Sequence, residues 1–156
     1  MAMSLSLLEY LEWEGVDYEV LHHRRTSCST ETAEVAHIPG DQLAKCVVLE
    51  DENGYVMAVL PATHRVELGK LHRQLDRRLG LATEGELEEL FKDCDIGAIP
   101  PLGNAYGYDT VLDDSLDKCS EIYFEAGDHA DLVHISGEDF RTLMAGAKHG
   151  HFSRHL

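Results

Sequence analysis

Two apolar runs joined by a turn dipeptide constrain the fold of this chain more than any other feature. Residues 46–49 and 56–60 are uninterrupted apolar segments, and Asn53-Gly54 lies between them. Asn-Gly favours the type I′ turn of a β-hairpin, because both central positions of that turn need a positive φ. Strands that are apolar throughout are typical of sheets covered on both faces. We therefore predict an antiparallel hairpin of residues 43–50 and 55–60, covered on both sides.

Helical and strand-like segments alternate around this hairpin. Helical periodicity or capping signals mark residues 4–14, 31–37, 68–79, 84–91 and 138–145. Short strand-like segments are residues 16–20, 111–112, 121–125 and 132–135. This order predicts the α/β class, as a single domain of residues 1–147 with a curved mixed β-sheet surrounded by helices. Residues 148–156 are rich in His, and we predict that they form a flexible tail.

Charge and hydropathy exclude several classes of protein. The 156 residues carry a net charge of −16, with 29 acidic against 13 basic side chains. This balance argues against a general nucleic-acid binder, although a small basic contact site remains compatible with it. No apolar run approaches the ~20 residues of a membrane helix, and acidic residues interrupt the N-terminal segment. We expect a cytoplasmic monomer that binds neither membranes nor DNA.

The cysteine and histidine spacings do not suggest a metal site or a cofactor. The cysteines are Cys28, Cys46, Cys94 and Cys119. None forms a C-x-x-C pair, and we interpret them as free thiols. His149, His151 and His155 have no acidic or Cys residue beside them in the sequence, so we predict neither a metal nor a cofactor.

Two segments are candidates for chemistry. Residues 97–103, GAIPPLG, bracket two prolines with two glycines. Such a rigid loop can hold a carbonyl oxygen or an oxyanion on its backbone N–H groups, and a plain connecting turn is the alternative. Lys45 lies at the start of the first apolar run. A lysine there is costly to bury unless it faces a cleft, and a solvent-facing lysine is the alternative.

Three stretches of the chain are together similar to the YbaK/ProX family. The family's lysine strand, hairpin and following helix resemble DQLAKCVVLEDENGYVMAVLPATHRVELGKLHRQL. Its glycine-proline loop resembles DIGAIPPLG, and its closing strand, turn, strand and helix cap resemble SEIYFEAGDHADLVHISGEDF. The resemblance extends over residues 5–144. It implies the fold of the editing domain of bacterial prolyl-tRNA synthetases, and hydrolysis of the ester bond of mischarged tRNA.

The resemblance also implies site residues and partners. Lys45 corresponds to the family's functional lysine, with water as the nucleophile and the glycine-proline loop shaping the aminoacyl pocket. The residues implied to contact the substrate are Gly97, Ala98, Ile99, Pro100, Gly103, His23, Cys46, His129 and Asp131. The implied partner is the acceptor end of an aminoacyl-tRNA. One explanation of the acidic net charge is that an aminoacyl-tRNA synthetase delivers this tRNA.

Several alternatives remain open from the sequence. Cys46 stands where relatives often have a small hydroxyl or amide residue, so it is either a core thiol or a nucleophile that His129 activates. His129 and Asp131 either border the pocket or belong to a surface turn. The chain is either a hydrolase or a non-catalytic module for a small ligand or a synthetase. The sequence does not identify the amino acid that is removed.

Overall fold

A mixed eight-stranded sheet, a two-stranded sheet and five α-helices are the main elements of residues 2–156, the part of the chain that the computed structural model describes. The strands are β1 (Glu19–His22), β2 (Leu43–Asp51), β3 (Gly54–Pro61), β4 (His64–Val66), β5 (Gly80–Leu81), β6 (Asp109–Asp113), β7 (Glu121–Glu125), β8 (Asp131–Ser136), β9 (Lys148–Gly150) and β10 (Ser153–His155). The helices are α1 (Leu5–Glu14), α2 (Ser29–Ala36), α3 (Leu68–Leu75), α4 (Glu84–Leu90) and α5 (Gly137–Leu143). Within the described residues, no helix has the length and apolarity that a membrane crossing requires.

The predicted hairpin forms the middle of the sheet. The strand order is β1-β8-β7-β2-β3-β6-β9, and β5 also pairs with β2. β2 and β3 pair antiparallel from Ala44 opposite Pro61 to Asp51 opposite Gly54. The loop residues are therefore Glu52 and Asn53, and the predicted type I′ turn at Asn53-Gly54 is wrong, since Gly54 has a positive φ of 127° and Asn53 does not. β7 adds to β2 in parallel, and β6 adds to β3 in parallel. Both hairpin strands are therefore internal, which confirms the prediction of a mixed α/β domain.

Both faces of the hairpin are covered by apolar side chains. Val56 and Leu60 of β3 pack on one face together with Leu71 of α3. Val59 packs on the other face in a cluster that includes residues of α1 and α5. All four side chains are at most 2% exposed. Burying each of them stabilises the fold by about 1.5–3 kcal/mol, so an uninterrupted apolar strand is favoured at this place.

Helix ends follow the predicted capping signals except in α3. Thr83 Oγ accepts the N–H of Glu86, and the Glu86 carboxylate accepts the N–H of Thr83, which completes the predicted capping box of α4. The Ser136 hydroxyl caps α5 by accepting an N–H three residues later. The prediction that α3 extends to residue 79 is wrong. The helix ends at Leu75 because Asp76 adopts the left-handed conformation, with φ of 52°.

The prediction of a flexible C-terminal tail is also wrong. β9 pairs in parallel with β6, and β10 pairs antiparallel with β4. Between them, Phe152 is 0% exposed, its N–H donates to Asp113 Oδ2 at 3.1 Å, and its carbonyl accepts the N–H of Glu67 at 2.6 Å. Phe152 is one apolar residue in a His-rich segment, so the segment shows no apolar periodicity from which this packing could be predicted.

Candidate functional site

A hollow of about 260 Å³ opens between β2, the start of the glycine-proline loop and the segment that leads into α2. Its lining residues are Ser27, Cys28, Ser29, Thr30, Ala44, Lys45, Cys46, Gly97, Ile99 and Glu125. Lys45 and the glycine-proline loop, which are far apart in the sequence, therefore face the same small space. We call this space the Lys45 hollow.

The Lys45 ammonium lies at the wall of this hollow. Its Nζ donates to the carbonyl oxygen of Ala62 at 3.3 Å, the one polar contact of this group within residues 2–156. Burial lowers the pKa of Lys45, and the nearby Cys28 partly opposes that shift. A partly desolvated ammonium with a single carbonyl partner can bind an oxygen of a ligand without first giving up a strong ion pair.

Gly97 and Ile99 of the glycine-proline loop line the Lys45 hollow, and their backbone N–H groups lack acceptors among the described residues. Gly97 has φ of 85°, a conformation that glycine adopts without strain. The N–H of Ala98 donates to the Asp95 carbonyl at 3.1 Å, whereas no acceptor in the described part of the chain takes the N–H of Gly97 or Ile99. Ala98 and Pro100 are buried and do not line the hollow. Two free N–H groups near an ammonium are the elements of an oxyanion site.

Gly103 lies at the far end of the loop, outside the hollow. A Cβ atom at this position would be 1.9 Å from Thr110 Oγ1 and 2.7 Å from the Tyr108 carbonyl oxygen. Only glycine therefore lets the chain pass so close to β6. The structure gives Gly103 a packing role that holds the loop, and it does not place Gly103 against a ligand.

His129 and Asp131 are buried behind the site and do not line the hollow. His129 is only 4% exposed, and the Nε2 of its imidazole lies 2.6 Å from the Ile96 carbonyl oxygen. A Cβ atom on Gly97 would be 3.1 Å from this ring, so His129 supports the loop from behind. The Asp131 carboxyl group lies against the imidazole of His22 in β1. His129 and Asp131 are therefore buried rather than in a surface turn, and neither of the two expected substrate contacts is among the lining residues of the hollow.

Glu125 is a site residue that the sequence reasoning missed. It ends β7, is 4% exposed and lines the Lys45 hollow. Its Oε1 accepts a hydrogen bond from Thr32 Oγ1 at 2.7 Å, and its Oε2 has no hydrogen-bond partner among the described residues. The buried His23 Nε2 lies 4.0 Å from that oxygen, so His23 reaches the site through Glu125. An acidic residue that ends an apolar strand just before a glycine turn was the available signal.

The pKa of Glu125 is raised by its position. Burial raises it from the ordinary 4.5 to about 7; the Thr32 hydrogen bond opposes this shift, and the charges of Asp128 and Asp131 add to it. The folded protein therefore holds the Glu125 proton more tightly than the unfolded chain does. The stability that this group contributes is full below about pH 4.5 and is lost as the pH rises through about 7.

Replacing Glu125 by glutamine should remove this pH dependence. The shift corresponds to on the order of 3 kcal/mol of unfolding free energy between the two ends of the window. We expect the stability of Glu125→Gln relative to the wild type to rise from acidic to neutral pH in urea unfolding at matched pH values. Glu89→Gln, on the exposed face of α4, is the control and should show a flat difference. An equally flat difference for Glu125→Gln would show that the carboxyl is not desolvated.

Cys46 lines the hollow beside Lys45 without the features of a nucleophile. Burial raises the pKa of its thiol, and the nearby Cys94 adds to the shift. The reactive thiolate is therefore scarce at neutral pH. His129, the base that the alternative requires, is engaged with Ile96 instead. The structure favours the interpretation of Cys46 as a core thiol.

Iodoacetamide should therefore modify Cys28 before Cys46. Cys28 is exposed at the rim of the hollow, whereas the Cys46 thiol is desolvated. We expect carbamidomethylation of Cys46 to be at least roughly tenfold slower at neutral pH, as followed by peptide mass spectrometry. The unfolded protein serves as the reference, because both thiols should react alike there. Equal labelling rates in the folded protein would restore the nucleophile alternative.

Two exposed arginines, Arg24 and Arg25, precede Ser27, one of the lining residues of the hollow, in the sequence. Arg24 lies 3.6 Å from Glu31, and Arg25 lies 3.1 Å from Asp95, with arginine side chains 70% and 63% exposed. Exposed pairs of this kind contribute little stability, so these guanidinium groups can exchange their partners for phosphates. Arg77 is less available, because it makes two hydrogen bonds of 2.7 Å to Asp51.

Comparisons with known proteins agree on one kind of domain. The sequence profile described as "Aminoacyl-tRNA editing domain" matches residues 23–143. A solved structure of a candidate trans-editing enzyme for prolyl-tRNA synthetase superposes with a TM-score of 0.83 at 25% identity, over 98% of this chain and 99% of that chain. A hypothetical protein superposes with a TM-score of 0.84 at 20% identity, over 96% and 99% of the two chains. Among curated proteins, none matches the sequence significantly.

Proposed function

Because the chain belongs to the aminoacyl-tRNA editing domain family, we propose that it is a trans-editing deacylase that hydrolyses the ester bond of a mischarged tRNA. The observation that carries this proposal is the Lys45 hollow, because Lys45, the loop residues Gly97 and Ile99, and the buried Glu125 all line it. Its volume of about 260 Å³ is below the roughly 300–1,000 Å³ of pockets for drug-sized ligands. It suits an aminoacyl group, with the terminal adenosine lying at the mouth.

In the proposed reaction, water attacks the ester carbonyl carbon and the bond from that carbon to the ribose oxygen breaks. The amino acid leaves as a carboxylate, and the ribose oxygen regains a proton. The Lys45 ammonium and the N–H groups of Gly97 and Ile99 stabilise the oxyanion of the tetrahedral intermediate. An aminoacyl ester is already activated, so orientation of water and this stabilisation suffice without a protein nucleophile.

Glu125 has a separate role in the proposal. An aminoacyl ester carries a free α-amino group, which is positively charged over much of the neutral range. Glu125 lines the hollow that also contains Lys45, and its buried Oε2 has no hydrogen-bond partner among the described residues. Binding of the α-ammonium by this carboxyl group, after a rotation that turns an oxygen towards the hollow, would pair both charges and orient the ester carbonyl towards Lys45 and the loop.

A panel of mischarged tRNAs tests the function. The purified full chain is incubated with tRNAs that carry labelled non-cognate amino acids, beginning with alanine and cysteine on tRNA for proline, and release of the amino acid is measured. Enzyme-dependent release from at least one of them is the expected result. A folded protein that binds an aminoacyl-adenosine analogue and hydrolyses none of the substrates would be a binding module, which is the alternative function.

Binding to free tRNA should be weak and strongly salt-dependent. The chain has a net charge of −16, and Lys45 is the one cation among the residues that line the hollow. The exposed Arg24 and Arg25 shortly precede the lining residue Ser27 in the sequence. Contacts of three cations with phosphates predict a slope of about −2 in a plot of log K against log salt concentration. Fluorescence anisotropy with labelled tRNA measures this slope. Tight binding that is insensitive to salt would require a contact surface that does not depend on these three cations.

A further inference from the structure

Three metal-ligating side chains meet where β10 pairs with β4. His155 lies directly opposite His64 in this ladder, and the two rings are 5.3 Å apart in an edge arrangement. Asp41 reaches the same place from the 3-10 turn before β2. One ligand atom from each of the three side chains lies within 4.8 Å of the others. None of the three lines the Lys45 hollow, so this cluster is a separate feature.

Hydrogen bonds orient the two imidazole rings. His155 Nδ1 lies 2.9 Å from the Leu156 carbonyl oxygen, which only accepts, so the neutral ring carries its proton on Nδ1. His64 Nδ1 lies 2.9 Å from the hydroxyl oxygen of the buried Ser153. These contacts leave both Nε2 atoms free for the cluster. An imidazole whose other nitrogen is bonded to a carbonyl or hydroxyl oxygen is the usual arrangement in protein metal sites.

The distances suit a tetrahedral ion after small side-chain rotations. His155 Nε2 lies 3.5 Å from Asp41 Oδ1, close to the separation of about 3.4 Å between ligands of a tetrahedral zinc ion. The side chains of His155 and Asp41 are more than half exposed, so they can close further around an ion. Thr63 donates its hydroxyl to Asp41 Oδ1 and fixes that carboxylate from outside the cluster.

We propose that Asp41, His64 and His155 bind a divalent transition-metal ion, with water completing the coordination. Two imidazole nitrogens and one carboxylate oxygen are a donor set for Zn²⁺, Co²⁺ or Ni²⁺. The sequence prediction of no metal considered only residues adjacent to the C-terminal histidines, whereas Asp41 and His64 approach His155 through the fold. The inference is independent of the proposed deacylase function.

A second group of side chains is less suited to such an ion. His149 Nδ1 lies 3.6 Å from Asp114 and 3.3 Å from Asp117. This group offers one imidazole and two exposed or half-exposed carboxylates, without a second nitrogen. Transition metals of this series prefer the set with more nitrogen ligands. His149 therefore provides the control for the test.

Zinc titration of the full chain tests the proposal. Isothermal titration with Zn²⁺ should show one ion per chain, and His155→Ala and Asp41→Asn should each weaken binding at least tenfold. His149→Ala should bind as the wild type does. At about a hundred-fold excess over the dissociation constant, Zn²⁺ should raise the melting temperature of the wild type by roughly 5–10 °C, and that of Asp41→Asn much less.

Three outcomes of the zinc titration would overturn the proposal. They are absence of saturable Zn²⁺ binding by the wild type, loss of binding in His149→Ala, and unchanged binding in Asp41→Asn. Cys119 Sγ lies 3.6 Å from the Asp41 carbonyl oxygen, so Co²⁺ absorption is the final check. A thiolate-to-cobalt charge-transfer band would assign the ion to a cysteine instead. If His155→Ala does not fold, Asp41→Asn retains the test, because its side chain is exposed.

Discussion

Replacing Lys45 by alanine is expected to lower the rate of aminoacyl-tRNA hydrolysis by about 100-fold or more without loss of the fold. Removing one group that stabilises an oxyanion typically costs about 10²–10³ in rate. The melting temperature should change little, because burial lowers the pKa of Lys45 and the folded state gains no stability from its charge. Single-turnover deacylation and thermal unfolding of the same preparation measure both quantities.

The matched control for this experiment is Lys118→Ala. Lys118 is exposed and lies outside the hollow, so its variant should hydrolyse the substrate at the wild-type rate. Lys45→Arg keeps the positive charge but carries it on a larger, planar group that does not occupy the same position in the hollow. This variant therefore tests whether the reaction needs the position of the charge as well as its presence. Wild-type turnover by a folded Lys45→Ala protein would remove Lys45 from the mechanism.

Replacing Gly103 by alanine is expected to destabilise the whole domain by about 2–4 kcal/mol. The new Cβ atom would lie 1.9 Å from Thr110 Oγ1 and 2.7 Å from the Tyr108 carbonyl oxygen, and a backbone atom cannot rotate away. The loop that supplies the N–H groups of Gly97 and Ile99 must shift to relieve the contact. Urea unfolding measures the loss of stability.

Two variants separate steric conflict from a general effect of glycine replacement. Gly85→Ala, in α4, has no atom closer than 4.0 Å to the new Cβ and should be neutral or slightly stabilising. Thr110→Ala in the Gly103→Ala background removes the closest clashing atom and should recover part of the stability. A Gly103→Ala protein as stable as the wild type would mean that the loop is loosely packed.

The sequence predicted those parts of the fold that depend on local signals. The two apolar strands specify the hairpin, and the Thr83 and Ser136 caps specify where two helices begin. Each signal lies within a few residues of its effect. The type of the hairpin turn was predicted wrongly, because Asn53 lacks the positive φ that a type I′ turn at Asn53-Gly54 requires. The end of α3 was misplaced because the left-handed conformation of Asp76 interrupts an otherwise continuous leucine stripe.

The parts that the sequence did not reveal depend on contacts between distant residues. Phe152 is buried only because β9 and β10 find partners far away in the chain. The environment of Glu125 is set by Thr32 and His23, which lie far earlier in the sequence. No sequence motif links these positions. Lys45 and the loop were linked by family resemblance alone. Their meeting in one hollow is a property of the fold that residue patterns do not encode.

The two parallel pairings of the sheet determine when the hollow can exist. The β2–β3 hairpin can close within about 1–10 μs, because its strands are adjacent in the sequence. β6 and β7 are much later in the sequence, and a domain dominated by such distant pairings folds in about milliseconds to seconds. The hairpin alone carries Lys45 but neither Gly97 nor Glu125, so it cannot form the hollow by itself. Formation of the site therefore depends on the slow, distant pairing of β2 with β7, which brings Glu125 to the hollow.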